Sequence, residues 1–121
     1  MNWIRREKRL AIYLRDGLAC CWCGDGVEDG VTLTLDHLKP HSKGGSNEPK
    51  NLVTCCHKCN SSRSSRSVQA FALAVAGYSN AKATDIVEHI TKTVRQEIDV
   101  HEAMDMIYRR GGFSAALKQA A

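Results

Sequence analysis

Two Cys-x-x-Cys pairs, Cys20 with Cys23 and Cys56 with Cys59, constrain this chain more than any other feature. A two-residue gap lets both sulfurs of a pair reach one ion from a tight turn, and Zn2+ favours four tetrahedral ligands among which thiolates bind well. Gly24 follows the first pair and Asn60 the second, residue types that let the chain turn away sharply. Thirty-two residues (24 to 55) separate the pairs, so one four-cysteine site would fix two distant segments to each other. A redox pair or unrelated buried thiols are the competing reading, which the doubling of the motif disfavours. Cys21 and Cys55 lie beside the proposed ligands. Cys21-x-Cys23 leaves one intervening residue, which strains a shared ion, and Cys55 continues the apolar run Leu52-Val53-Thr54 as strand. Both are read as packing thiols. His57, between two ligands, is a minor alternative, because zinc also accepts imidazole.

The rest of the composition narrows the class. A chain of 121 residues can bury one modest core, which a bound ion would supplement. Hydrophobic residues at 43% and charged residues at 25% are ordinary for a soluble globular protein. No apolar run approaches the roughly 18 residues of a membrane helix; the longest is Ala70 to Gly77. Charges scattered from Trp3 to Leu14 argue against a signal peptide. Six cysteines without such a signal predict a cytoplasmic, reducing location and metal rather than disulfides. The net charge of +4 is uneven: residues 1–66 hold 11 Lys/Arg against 7 Asp/Glu, and residues 67–121 hold 6 of each. The whole positive excess lies in the cysteine-bearing half, as a phosphate-binding face requires.

Taken in order, residues 3–16 read as an amphipathic helix ending at Gly17, with arginines on its solvent side that either meet a polyanion or are merely solvated. Trp22, inside the first knuckle, is read as a packing residue rather than a stacking platform. Val31 to Leu35 alternates as a strand and delivers Asp36 and His37 at its end. A Gly- and Pro-rich loop follows from Lys39 to Lys50, and Asn51 to Cys55 is the returning strand. A helix is expected from about His57 through Ser61, Arg63 and Arg66. The remainder predicts three helices: Ser67 to Ala76, one beginning near Thr84 as N-cap, and one from about Asp99 to Arg110 before Gly111-Gly112.

Three stretches then match a known pattern: Arg15-Asp16-Gly17-Leu18-Ala19-Cys20-x-x-Cys23-Gly24, Leu35-Asp36-His37-x-x-Pro40-x-Ser42-x-Gly44-Gly45, and Asn51-Leu52-x-x-x-Cys56-x-x-Cys59-Asn60. From residue 15 to about 66 the chain resembles the zinc-stabilised HNH endonucleases. It departs from them in one place, carrying Asn60 where His is usual, the H-N-N form. Phage junction resolvases with the same core also carry Asn there, so the change need not end catalysis. The resemblance implies an α+β fold: a ββα-metal (His-Me finger) core with a structural four-cysteine zinc site, flanked by an N-terminal helix and a C-terminal helical extension. Residues 1–66 would be the nuclease domain and 67–121 a helical extension packed on it or dimerising with it.

It also implies a metal-dependent DNA endonuclease that hydrolyses phosphodiester bonds, by nicking or double-strand cleavage. His37 would be the general base, its imidazole taking a proton near neutral pH. Asp36 and Asn60, hard oxygen donors, would hold one Mg2+ or Mn2+. Asn51 would hold the His37 loop through hydrogen bonds. Lys39, His41 and Lys43 in the loop, with Arg63 and Arg66 on the finger helix, are the candidate phosphate contacts. DNA is the implied partner, no membrane is, and a homodimer through the C-terminal helices stays open. The competing class is a non-catalytic zinc-stabilised DNA-binding module.

Overall fold

The computed structural model describes residues 3–121. Leu33–His37 (β1) and Leu52–Cys56 (β2) pair antiparallel, with Leu33 opposite Cys56 and His37 opposite Leu52. The first strand therefore lies two residues later than its alternation predicts. The ladder decides this: His57 N–H donates to Thr32 O at 3.0 Å at one end, and Leu38 N–H to Asn51 O at 2.9 Å at the other. Asp36 and His37 consequently belong to the strand, facing Val53 and Leu52.

A hairpin of two strands is marginal alone, and here both faces are covered. The helix Arg6–Arg15 (α1) lays Ile12 and Tyr13 against Leu33, Leu35 and Leu52 on one face. Tyr13 Oη adds a 3.0 Å hydrogen bond to Leu33 O. The helix His57–Arg63 (α2) lies against the other face, with Cys59 and Arg63 buried. It stops at Arg63, short of the expected Arg66. Ser64 takes a positive φ of 53° and the chain turns back, letting Arg66 N–H reach Arg63 O at 3.1 Å.

Four further helices follow among the described residues: Val68–Ala76 (α3), Ala83–Thr93 (α4), Val100–Arg110 (α5) and Phe113–Ala120 (α6). Ser67 caps α3 by accepting Ala70 N–H at 3.1 Å, and Asp99 caps α5 by accepting Glu102 N–H at 2.9 Å. The expectation of Thr84 as a cap is wrong. The helix begins at Ala83, so the cap position falls two residues before Thr84, at Lys82, with no side-chain bond there. The last helix has no counterpart in the sequence reading. α3 and α4 contribute Phe71, Val75, Ile86 and Ile90 to the core around the cysteines. α5 and α6 place Ala103, Ile107 and Ala116 against Leu10 and Ala11 of α1.

The arginines of α1 do not all face solvent. Arg15 and Asp16 have side chains 1% and 0% exposed and pair at 2.6 Å. Arg15 donates to Pro49 O at 2.9 Å and Leu52 O at 2.7 Å, while Asp16 accepts Thr54 N–H at 2.8 Å. This pair ties α1 to the start and the middle of the returning strand.

Candidate active site and metal centre

The first knuckle is a tight turn closed by the Ala19–Gly26 bridge, with Gly24 N–H donating to Cys20 O at 2.9 Å. Cys21 N–H donates to Thr54 O at 2.9 Å and so docks this turn on β2. Cys56 ends β2 and caps α2, its sulfur accepting Cys59 N–H at 3.4 Å. The result is a cluster of Cys20, Cys23, Cys56 and Cys59 whose sulfurs all lie within 4.8 Å of one another. Cys23 and Cys56 sulfurs are 3.8 Å apart. Four sulfurs placed tetrahedrally at about 2.3 Å from a zinc ion would have edges of about 3.8 Å. The cluster therefore fits a tetrahedral metal ion such as zinc.

Hydrogen bonds from Cys55 and Cys59 hold the Cys20 thiol far below its usual range, and the bond to Cys20 pushes Cys59 far above it. Burial pushes Cys23 up to about 12. Four thiolates this close repel one another unless a cation lies between them. Cys21, raised mainly by burial, and Cys55, raised mainly by its hydrogen bond to Cys20, stay neutral thiols in the core, as expected of packing residues. His57 is exposed and outside the cluster. Sequence reasoning missed Tyr78, whose hydroxyl lies 3.7 Å from the Cys59 sulfur.

At the other end of the hairpin, Asp36 is buried. Its Oδ2 accepts from Trp22 Nε1 at 3.2 Å and from Arg63 Nη1 at 2.5 Å. Burial raises the Asp36 carboxyl above its ordinary range, while Arg63, Trp22 and the nearby His37 oppose the rise. Trp22, 2% exposed and edge-on to Phe71 at 4.9 Å, is the packing residue expected and also a hydrogen-bond donor.

Arg63 is not a surface cation. It is 2% exposed, and its guanidinium also donates to His37 O at 2.9 Å and Leu38 O at 2.8 Å. It lies over the Trp22 ring at 5.1 Å. The expected phosphate contact at this position is corrected: the side chain is buried, Nη1 and Nη2 clamp the end of β1, and Nε donates to Arg66 O at 3.3 Å. Lys39, His41, Lys43 and Arg66 are exposed, as phosphate contacts must be.

Asn60 donates from Nδ2 to Thr34 Oγ1 at 2.9 Å. Thr34 and Asp36 share one face of β1, since side chains alternate along a strand. Asn60 is thereby held on the Asp36 side. His37 is on the other face, its ring 4.8 Å from Trp3 and 6.0 Å from His41 between centroids. Asp36 and His37 thus leave the same strand end on opposite faces. Asn51 spans the intervening loop: its Oδ1 accepts Lys39 N–H at 2.9 Å, and its Nδ2 donates to Ser46 O at 2.8 Å and Lys39 O at 3.2 Å. The same loop needs glycine at 45, where a Cβ would stand 1.8 Å from Lys39 O.

Residues 20–72 match the family described as HNH endonuclease. The CRISPR-associated endonuclease Cas9 of Actinomyces naeslundii is 40% identical over 57 residues. That stretch is 46% of this chain and 5% of the relative, so the chain spans a small fraction of that protein's length. No solved structure matches the chain.

Proposed function

We propose, from the match of residues 20–72 to the family described as HNH endonuclease, that the chain is a metal-dependent DNA endonuclease with His37 as general base. One observation carries the reading: a single strand end presents a carboxylate and an imidazole, while Asn60 is held on the carboxylate side through Thr34. The imidazole takes a proton from water as it attacks the phosphate. Asn51 keeps the loop that follows His37 in one conformation, which preserves the approach.

The donors present fit a hard divalent ion. Arg63 and Trp22 occupy only Oδ2 of Asp36, and Asn60 spends its amide nitrogen on Thr34. Oδ1 of each residue is left as a donor. One carboxylate and one amide oxygen suit Mg2+ or Mn2+, which keep several waters. When bound, such an ion supplies Lewis acidity and steadies the departing oxygen. The four-cysteine cluster would hold zinc as a structural ion, because its sulfur spacing matches that ion's geometry. Lys39, His41, Lys43 and Arg66 would meet DNA phosphates. No described helix is long and apolar enough to cross a membrane. One active centre per chain favours nicking. A homodimer through the C-terminal helices would use the outer face of α5, where Met104 and Tyr108 are exposed.

The test is plasmid nicking with Mg2+ or Mn2+, with an EDTA control and with His37→Ala beside wild type. Metal-dependent nicking lost in His37→Ala, with fold and zinc content intact, is the expected result. Wild-type cutting by His37→Ala refutes the base assignment. The competing reading, a non-cutting zinc-stabilised DNA-binding module, has the Arg63–Asp36 pair in its favour, because one oxygen of the proposed ligand is already engaged. DNA retention at low salt without nicking under any divalent ion would establish it.

A further inference from the structure

His37 is held by more than its own loop. Its Nε2 lies 2.8 Å from Asn47 Oδ1. Asn47 is anchored in turn by α1, because Lys8 Nζ donates to Asn47 O at 2.6 Å. Trp3 lies against the imidazole at 4.8 Å between centroids, with a 36° tilt, and Arg9 stands over the indole at 5.7 Å. Two groups from the N-terminal segment thus act on the imidazole, Trp3 directly and Lys8 through Asn47.

We propose that Asn47 is the positioning residue for His37. An amide oxygen can only accept, so a neutral imidazole facing it must carry its proton on Nε2. Nδ1 is then the basic nitrogen, and among the described residues it has no hydrogen-bond partner. The amide oxygen therefore selects both the ring's orientation and which nitrogen receives the proton from water. A wrong tautomer would present N–H to the water and could not take its proton. Trp3 limits the remaining freedom, rotation of the ring out of its slot. Lys8 fixes the chain at Asn47 so that the amide stays at hydrogen-bonding distance. The proposal rests on His37 being the general base, but the tautomer it specifies is a property of the resting protein and can be read without any cleavage.

The decisive measurement is the 15N spectrum of histidine-labelled, zinc-loaded protein, with the His37 signals identified by their loss in His37→Gln. The expected pattern is the Nε2–H tautomer in wild type and a mixed population in Asn47→Ala. An Nδ1–H pattern for His37 in wild type overturns the proposal. Kinetics supply the second arm. Asn47→Ala should lower kcat on plasmid DNA roughly 10- to 100-fold, the usual cost of losing an orienting partner, with KM little changed. Asn47→Asp, which keeps an oxygen acceptor, should regain the Nε2–H form and most of the rate. Wild-type turnover by Asn47→Ala, alongside an inactive His37→Ala, refutes the positioning role and leaves the base assignment standing. Full activity in His37→Ala removes the base assignment itself.

Discussion

Replacing Arg63 by alanine tests whether that residue is part of the fold or part of the DNA-binding surface. Its side chain is 3% exposed and that of Asp36 10%, at 2.5 Å. Removing one partner of a buried ion pair costs about 3–5 kcal/mol, because the other charge is left without compensation. Two further carbonyls, His37 O and Leu38 O, would lose their donor. For a chain of this length the loss should lower Tm by upward of about 10 °C. Calorimetry of zinc-loaded wild type and Arg63→Ala, without added Mg2+, measures it. The deficit should also depend on pH. Burial already raises the Asp36 carboxyl and Arg63 opposes the rise, so without Arg63 the folded value climbs further above the unfolded one, about 3.9. A carboxyl raised in the folded state is no burden below its unfolded value and costs stability as pH rises through the raised value. The gap between variant and wild type should therefore widen from about pH 4 towards neutrality. A cation that only met phosphate at the surface would change stability by less than about 0.5 kcal/mol and flatten the salt dependence of DNA binding by about one unit of slope. Finding an unchanged Tm with such a flattened slope would refute the buried-clamp account.

Three other perturbations separate the parts. Cys56→Ser should lose the structural ion, as read by elemental analysis, and melt the hairpin, because ion binding and folding are coupled; pure wild-type protein without bound metal would contradict this. Asp16→Ala should cost about 3–5 kcal/mol in urea unfolding, since it strands a buried Arg15, and a loss below about 1 kcal/mol would show the pair to be dispensable. Asn51→Ala removes three hydrogen bonds from a partly solvated loop. It should cost about 1–3 kcal/mol and speed hydrogen exchange at the Lys39 amide, with zinc content unchanged.

The four-cysteine cluster was legible in the sequence because spacing encodes it: a two-residue gap has few ways to place two sulfurs. The loop-holding role of Asn51 came from the family resemblance rather than from spacing, and its bonds to Lys39 and Ser46 do span that loop. Strand register was not legible. Val31 alternates with its neighbours as well as His37 does, and only pairing against Leu52–Cys56 selects Leu33–His37. Arg15 and Arg63 were hidden by their type, since an arginine reads as solvated until its partner is known. The partner of Arg63 lies 27 residues away. Asn47 gave no signal, being one more polar residue in a glycine-rich loop. The helix α6 follows two glycines and is only eight residues long, so packing against α1 rather than propensity forms it.

The walls of the hairpin come from distant sequence. Leu33, Leu35 and Leu52 rest on Ile12 and Tyr13, which precede the family match, and Ile86 and Ile90, which close the cysteine corner, follow it. A peptide cut to residues 20–72 would expose both flanks as bare oily surface, and its two strands would be an invitation to clump. Anyone transplanting residues 20–72 into another protein would have to bring lining for both sides, or choose a recipient that already offers it.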